Sequence, residues 1–240
     1  MIADCTRAIE LDPRYGHAYC FRGMARCSKG DYDKAIADLD KAIELDPKNA
    51  RASYWRGLAY CWKGDYAKAI ADCTRAIELD PEDGRGSYYR ACAYSMQHRW
   101  SDAQADLRRC CEWADSKMQD YAHLMLWVVG SQWGQKEAAD KELAAYFDKR
   151  DNAADPWPAP IAEFLLGKIS EGNLMAAAAS PDASKEQARR TEGWYYAGMK
   201  RLLSGDKAAA ADCFRKCVAM GRKGRVNYYC AQAELKALGL

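Results

Sequence analysis

A stretch of twelve residues recurs along this chain and limits the folds that the chain can adopt. The sequence IADCTRAIELDP stands at residues 2–13 and again at residues 70–81, and a looser copy, IADLDKAIELDP, stands at residues 36–47. The repeat period is therefore 34 residues, a length typical of arrays of short helical units. Because one such unit cannot bury its apolar face alone, we expect the units to stack.

The middle unit, residues 50–83, predicts a pair of helices joined by a tight turn. Apolar residues recur at helical spacing on both sides of the sequence KGDY, which ends at Tyr66. Gly64 suits the left-handed position that ends a helix, and Asp65 is a residue type that caps the start of the next one. Pro81 prevents the second helix from continuing. Each unit is therefore expected to be a helical hairpin.

The period divides the first part of the chain into units. We expect an array over residues 1–151 that contains a half repeat at 2–15, full repeats at 16–49, 50–83 and 84–117, and a degenerate repeat at 118–151. The degenerate repeat reads as two helices but is expected to lack the turn glycine and the terminal proline. In the third repeat, QHRW replaces KGDY, so its turn is expected to differ.

The second part of the chain begins after a proline-rich stretch. Residues 152–160 are predicted to be a linker, because prolines at 156, 158 and 160 interrupt the helical pattern. A C-terminal helical region is predicted at 161–240, with one more hairpin at 191–222 and a capping helix at 225–238. The chain is thus expected to be all-α.

The repeat resembles the tetratricopeptide repeat, in the bacterial form that has Arg-Gly in the first helix and KAIELDP at the end of the second. The resemblance implies a helical-hairpin solenoid that forms a right-handed superhelix, with a C-terminal helical extension containing one more repeat-like hairpin. It also implies a protein that binds other proteins and is not an enzyme.

The second half resembles the end of the outer-membrane adaptor family of new lipoprotein I. The likeness rests on DPWPAP, on GKIS, on a Tyr-x-x-Gly hairpin and on a terminal Ala-Glu-Leu helix. This resemblance implies a scaffold that dimerises and brings proteases and cell-wall hydrolases together.

In tetratricopeptide arrays the first helix of each hairpin lines an inner groove, and this implies a set of partner-binding residues here. The set is rich in aromatic rings and has two arginines at its edge, which suits an apolar peptide or helix of a partner protein. Its members are His17, Phe21, Met24, Arg51, Tyr54, Trp55, Leu58, Trp62, Arg85, Tyr88 and Tyr89.

Each of the three full repeats carries an arginine and, sixteen residues later, an aspartate. The pairs are Arg22 with Asp38, Arg56 with Asp72, and Arg90 with Asp106. We hypothesise an ion pair inside each hairpin. The alternative is an arginine that lays its stem on apolar surface and keeps its charge in water.

Catalytic and cofactor chemistry find little support in the sequence. The three histidines stand alone in different units, and no phosphate-binding loop, nucleophile elbow or zinc motif occurs. We expect no catalytic residue, no cofactor and no metal. The eleven cysteines fall mostly at repeat positions that want a small side chain, so they are interpreted as buried reduced thiols in a reducing compartment.

Two alternatives to peptide binding stay open. Tyrosines, tryptophans and arginines could stack the bases of a single-stranded RNA, although residues 1–117 contain 19 basic and 19 acidic side chains, which makes nucleic acid an unlikely partner. The half repeat at 2–15 could instead form a homodimer or end-to-end assemblies, which would make the chain a self-assembling structural module. We expect no membrane insertion and a cytoplasmic location as the sequence stands, or a periplasmic or lipoprotein location if an N-terminal segment is missing.

Overall fold

A computed structural model describes residues 1–150 and 156–240, and within these ranges the regular structure is entirely α-helical. The chain divides into two compact units, residues 1–122 and 123–240. The helices of the first unit are α1 (Ile2–Leu11), α2 (Gly16–Lys29), α3 (Tyr32–Leu45), α4 (Ala50–Lys63), α5 (Tyr66–Leu79), α6 (Gly84–Met96) and α7 (Trp100–Trp113), and α8 (Ser116–Gln132) spans the division. The predicted all-α hairpin fold is confirmed.

The turns inside the hairpins are formed as the sequence predicts. Gly30 and Gly64 end their helices in the left-handed conformation, with φ of 82° and 84°, which glycine adopts without a steric penalty. The Asp65 side chain accepts a hydrogen bond from the backbone N–H of Lys68 and so caps α5. In the third repeat His98 takes the left-handed position, with φ of 56°, in place of glycine.

The hypothesised ion pairs inside the hairpins are confirmed. Two guanidinium nitrogens of Arg56 donate to the two carboxylate oxygens of Asp72, at 2.7 and 2.6 Å. The same two-pronged geometry joins Arg22 to Asp38 and Arg90 to Asp106. The three aspartates are buried, so each pair satisfies a carboxylate that water does not reach.

Each of these arginines also reaches the preceding repeat. The Nη1 atom of Arg56 donates to Asp40 at 2.7 Å, and the corresponding atoms of Arg22 and Arg90 donate to Thr6 and Thr74. One side chain therefore joins three helices and holds consecutive hairpins in register.

Small side chains allow the helices of a hairpin to approach closely. A Cβ atom placed on Gly57 lies only 2.7 Å from Sγ of Cys73, and one on Gly23 lies 2.7 Å from Cγ of Leu39. Nine of the eleven cysteines are buried and the other two, Cys5 and Cys111, are half-buried. These nine pack as small apolar residues, as the sequence predicts.

The second unit contains the remainder of α8 and six further helices. They are α9 (Lys136–Phe147), α10 (Ala159–Leu165), α11 (Glu171–Ala177), α12 (Ala183–Leu203), α13 (Lys207–Ala219) and α14 (Val226–Ala237). Of the predicted linker, residues 152–155 lie outside the described residues, and α10 already begins at Ala159. The expectation that the degenerate repeat lacks a turn glycine is wrong, because Gly134 stands between α8 and α9 with φ of 82°.

The hairpin of α12 and α13 has the repeat turn without the repeat ion pair. Gly205 has a φ of 86°, and Gly198 packs against the ring of Phe214. Ala197 precedes Gly205 by the same spacing at which Arg56 precedes Gly64, and Cys213 follows Gly205 as Asp72 follows Gly64. Both Ala197 and Cys213 are buried. Two small buried side chains therefore stand here in place of the ion pair.

A buried carboxylate connects three segments of the second unit. Glu192 in α12 is buried and accepts a hydrogen bond from the indole N–H of Trp157 at 2.7 Å and another from Arg225 at 3.0 Å. The Trp157 side chain is buried as well. The start of the C-terminal region is therefore fastened to α12 and to the start of α14.

Candidate functional site

The first helices of the three full repeats lie side by side, because α4 packs against α2 on one side and against α6 on the other. This arrangement brings the predicted aromatic residues of α4 and α6 together. The ring of Tyr89 lies 5.8 Å from that of Tyr54, 6.2 Å from that of Trp55 and 5.7 Å from that of Tyr88. Contacts at these distances are typical of stabilising aromatic pairs.

The eleven predicted residues differ in what they expose. Tyr54 and Leu58 are 1% and 2% exposed, and Tyr88 is also buried, so these three support the surface from below. Met24, Trp55, Trp62, Arg85 and Tyr89 are half-buried, and His17, Phe21 and Arg51 are exposed. Phe21 is 37% exposed and offers an apolar ring to solvent.

A cavity of about 480 Å³ lies on this side of the array. Four of the predicted residues line it, namely His17, Phe21, Arg51 and Arg85. Cys20 of α2, at another inner position of the first full repeat, also lines the cavity, and the lining residues that the sequence did not indicate are Asp46, Lys48, Asn49, Ala50, Leu79, Asp80 and Asp83. Most of these lie where one repeat ends and the next begins, and their recurrence at the repeat period, as in Asp46 and Asp80, is the signal that could have identified them.

The two arginines of the cavity are in different electrostatic situations. Arg85 makes two hydrogen bonds of 2.7 Å to the carboxylate of Asp83, which raises the pKa of its guanidinium. Its guanidinium carbon lies 5.1 Å from the ring centre of Tyr54. The guanidinium carbon of Arg51 lies 5.7 Å from the ring centre of Phe21, and Arg51 pairs with no carboxylate in residues 1–150 and 156–240. Arg51 is therefore available to an anionic group of a ligand.

Two polar side-chain atoms of α4 are enclosed by protein. They are the hydroxyl of Tyr54 and the indole Nε1 of Trp55. Burial raises the pKa of the Tyr54 hydroxyl, and the nearby charge of Arg85 works against this rise, so the hydroxyl is neutral at physiological pH. An interaction with the side chain of Trp55 also acts against the rise in the pKa of Tyr54, and both atoms are enclosed by protein, so they lie beneath the surface that a ligand would contact.

A second cavity, of about 400 Å³, continues along the third repeat. It shares Asp80, Asp83 and Arg85 with the first cavity, and Trp113, which is 50% exposed, is among its other lining residues. Glu82 and Asp115 add further carboxylates. The two cavities together offer aromatic rings and charges of both signs.

In the described ranges no group of three or more His, Cys, Asp or Glu side chains is placed to hold a metal ion. Among the same residues, none of the helices is both long and apolar enough to cross a bilayer.

Comparison with known proteins identifies the repeat. A family model described as TPR repeat matches residues 23–64, and the model for the tetratricopeptide repeat matches residues 50–83. This part of the chain therefore consists of tetratricopeptide repeats.

Three solved structures resemble this chain in fold, two of them over its whole length and one over part of it. A tetratricopeptide repeat protein from Parabacteroides merdae has a TM-score of 0.57 at 18% identity, over 100% of this chain and 91% of that one. YrrB, described as a tetratricopeptide protein with an unusual peptide-binding site, has a TM-score of 0.53 at 19% identity over 100% of both chains. A form of MamA from Desulfovibrio magneticus has a TM-score of 0.54 at 17% identity, over 61% of this chain and 82% of that one. At such identities the likeness concerns the fold alone.

Proposed function

We propose that this protein is a non-catalytic scaffold that binds a peptide or helix of a partner protein on the surface formed by α2, α4 and α6. The observation that carries the proposal is the cavity of about 480 Å³ between three consecutive repeats, where exposed Phe21 and unpaired Arg51 meet. YrrB, which shares the fold, is a tetratricopeptide protein with an unusual peptide-binding site, and we extend the general function of peptide binding to this chain.

The chemistry of the surface indicates the kind of segment that fits. An apolar side chain of the ligand packs on the ring of Phe21, and a carboxylate of the ligand pairs with Arg51. The preferred ligand is therefore a segment with an apolar residue close to an acidic one.

The proposal is tested with peptides selected against the full chain from a displayed library of natural protein segments. The strongest peptides are then titrated against a Phe21→Ala/Arg51→Ala variant by calorimetry. We expect at least about tenfold weaker binding, since truncating two central contacts removes more than about 1.4 kcal/mol.

A matched control distinguishes binding at this surface from nonspecific binding elsewhere on the protein. The Trp133→Ala/Arg215→Ala variant removes an exposed tryptophan and an exposed arginine from the other compact unit, and it is expected to bind the peptides as the unchanged chain does. Equal binding by the two double variants contradicts the proposal, provided that both keep the helical circular dichroism of the parent.

Binding of single-stranded RNA has less support. The first 117 residues carry no excess of positive charge, and phosphate attraction supplies most of the affinity of such complexes. We expect no binding of a uridine oligomer at physiological salt, measured by fluorescence anisotropy.

Two finer predictions concern assembly. The likeness of the second half to the new lipoprotein I family implies an adaptor that gathers proteases and hydrolases, and it stays a prediction. Self-association through residues 2–15 also stays a prediction.

A further inference from the structure

The two cavities of the array are the same kind of pocket, one repeat apart. In the first cavity, of about 480 Å³, and in the second, of about 400 Å³, one wall is the segment that joins a second helix to the next first helix. A shift by the repeat period of 34 residues turns the lining residues of this segment in the first cavity into those of the second. The corresponding residues are Asp46 and Asp80, Lys48 and Glu82, Asn49 and Asp83, Ala50 and Gly84, and Arg51 and Arg85.

The two pockets differ in charge. Three carboxylates and three cationic side chains line the first cavity, and there Arg51 has no carboxylate partner among the described residues. In the second cavity Glu82 and Asp83 stand where the first has a lysine and an asparagine, and Asp83 holds Arg85 with two hydrogen bonds of 2.7 Å. Four carboxylates and one guanidinium line the second cavity, which gives it a net charge of −3. The second cavity therefore suits a cation where the first suits an anion.

Two of the carboxylates in the second cavity are available to a ligand. Asp80 and Glu82 are exposed, and in the part of the chain that the structure describes no hydrogen bond or ion pair engages either side chain. The guanidinium of Arg109 donates to the backbone carbonyl of Pro81 at 3.5 Å, and Arg109 is not among the lining residues. A cationic group that enters the cavity therefore meets carboxylates whose charge is not already neutralised.

The second cavity also has an aromatic wall that the first does not have at the same place. Trp113 lies one repeat period after Leu79, which lines the first cavity. Trp113 is 50% exposed, whereas Leu79 is half-buried. A planar guanidinium stacks on an indole and bonds to carboxylates at the same time, and a lysine ammonium is less suited to this combination. The chemistry of the second cavity therefore favours arginine.

We infer that the second cavity binds an arginine side chain of the same ligand segment whose acidic residue pairs with Arg51. This inference rests on the proposed function. Neighbouring helices lie about 10 Å apart, and an extended chain advances about 3.3 Å per residue, so the acidic residue and the arginine of an extended ligand are about three positions apart. Because the two pockets select opposite charges, they also fix the direction in which the ligand runs along the array.

The preceding repeat supplies the sequence of a decisive variant. Glu82→Lys/Asp83→Asn gives the second pocket the charges of the first and removes the carboxylate that holds Arg85. Asparagine caps helices as well as aspartate does, and Asn49 already caps α4 in this way at 2.9 Å. The variant is therefore expected to keep the helical circular dichroism of the parent.

The test selects peptides from a displayed library of random sequences against the parent chain, against Glu82→Lys/Asp83→Asn and against a control. The control, Glu137→Lys/Asp212→Asn, makes the same change in net charge at exposed residues of the other compact unit. We expect the parent and the control to select peptides that carry both an acidic residue and an arginine. The variant of the second pocket is expected to select acidic peptides without a preference for arginine.

Calorimetry then measures the contribution of the arginine directly. The strongest parent-selected peptide is compared with a form in which glutamine replaces its arginine. The replacement is expected to weaken binding to the parent and to the control about fivefold, and to leave binding to Glu82→Lys/Asp83→Asn almost unchanged.

The outcomes separate this inference from the proposed function. If the selected peptides lose affinity for Phe21→Ala/Arg51→Ala, but replacing their arginine has the same effect on the parent and on Glu82→Lys/Asp83→Asn, the first cavity binds the ligand and only this inference is overturned. If the peptides bind Phe21→Ala/Arg51→Ala as tightly as the parent, the proposed function fails and the inference fails with it.

Discussion

At the scale of single residues, Arg22, Arg56 and Arg90 each connect the two helices of a hairpin to one another and to the preceding helix. Each neutralises a buried aspartate of its own hairpin and reaches an oxygen of the preceding one. In the hairpin of α12 and α13 the same two positions hold Ala197 and Cys213, both buried, so a hairpin of this kind closes without the ion pair. The contribution specific to the arginine is therefore its hydrogen bond to the preceding repeat, which fixes the position of one hairpin relative to the next.

Replacing Arg56 by methionine tests this role. We expect Arg56→Met to lower the free energy of unfolding by about 3 kcal/mol, because buried Asp72 loses its partner and the Asp40 contact is lost as well. The measurement is urea denaturation followed by circular dichroism. Arg7→Met, which breaks an exposed pair with Glu10, is the control and is expected to cost less than about 1 kcal/mol.

A double variant distinguishes the pair from simple packing. Arg56→Met/Asp72→Leu replaces both partners by apolar groups, so that no buried charge is left unpaired, and it is expected to recover most of the loss. If the double variant is as unstable as the sum of the two single variants, Asp72 is not the reason for the cost of Arg56→Met.

The sequence predicted the arginine and aspartate pairs because both residues recur at a fixed spacing of sixteen on two helices that must face each other. It could not assign exposure inside the groove. Tyr54 and Phe21 occupy neighbouring positions of the same repeat pattern, yet the former is buried beneath Arg85 and the latter is exposed. That difference depends on which side chains the next repeat lays over them, and the pattern of one helix does not contain this information.

At the scale of elements, the ends of the helices followed from local sequence wherever the capping residues are strong. Gly30, Gly64 and Gly205 take the left-handed conformation, and Asp65 and Asp206 accept hydrogen bonds from the first turn of the following helix. Gly134 has the same left-handed conformation, but it is followed by Gln135 and not by an aspartate, and the sequence does not predict it as a turn glycine. A turn glycine alone is therefore a weaker signal than a glycine followed by a capping residue.

The N-cap residue of α12, Asp182, leads to a prediction of how the stability of the first turn of this helix depends on pH. The backbone N–H groups of Lys185 and Ser184 donate to the carboxylate of Asp182 and lower its pKa from the usual 3.8, and the charges of Lys185 and Arg222 act in the same direction. Because the pKa is lower in the folded state, the stabilisation is complete above the unfolded value and is lost as the pH falls through the folded one. We expect α12 to lose protection of its first turn in acid, measured by hydrogen exchange.

The variant Asp182→Asn separates this cap from other acid effects. Asparagine is also a good capping residue but does not titrate in this range, so the first turn of α12 is expected to change less on acidification in the variant than in the parent. Glu186, whose pKa Arg190 lowers, titrates in both proteins and cancels in the comparison. An identical acid response in the two proteins contradicts the role given to Asp182.

At the scale of the whole molecule, stacking makes stability depend on the number of neighbours that an element has. The hairpin of α4 and α5 packs against α3 before it and α6 after it. In the part of the chain that the structure describes, the hairpin of α2 and α3 meets α1 on one side, and none of the residues of α1 is buried. Since the stability of an array is close to a sum of unit and interface contributions, the first hairpin is expected to open before the second.

The reactivity of the cysteines measures the order in which the hairpins open, because cysteines occur in most hairpins of both compact units. Burial raises the pKa of Cys27 to about 12, raises that of Cys20 to about 11, and raises that of Cys73 well above its usual value. In the native protein we therefore expect a maleimide to modify Cys5 and Cys111 and to leave the nine buried thiols unmodified. With rising urea, followed by peptide mass spectrometry, Cys20 and Cys27 are expected to react at a lower concentration than Cys73, because opening the first hairpin leaves α4 and α5 in place. Simultaneous reaction of all three thiols would show instead that residues 1–122 open as one cooperative unit, and that the contact between α3 and α4 is as strong as the contacts inside a hairpin.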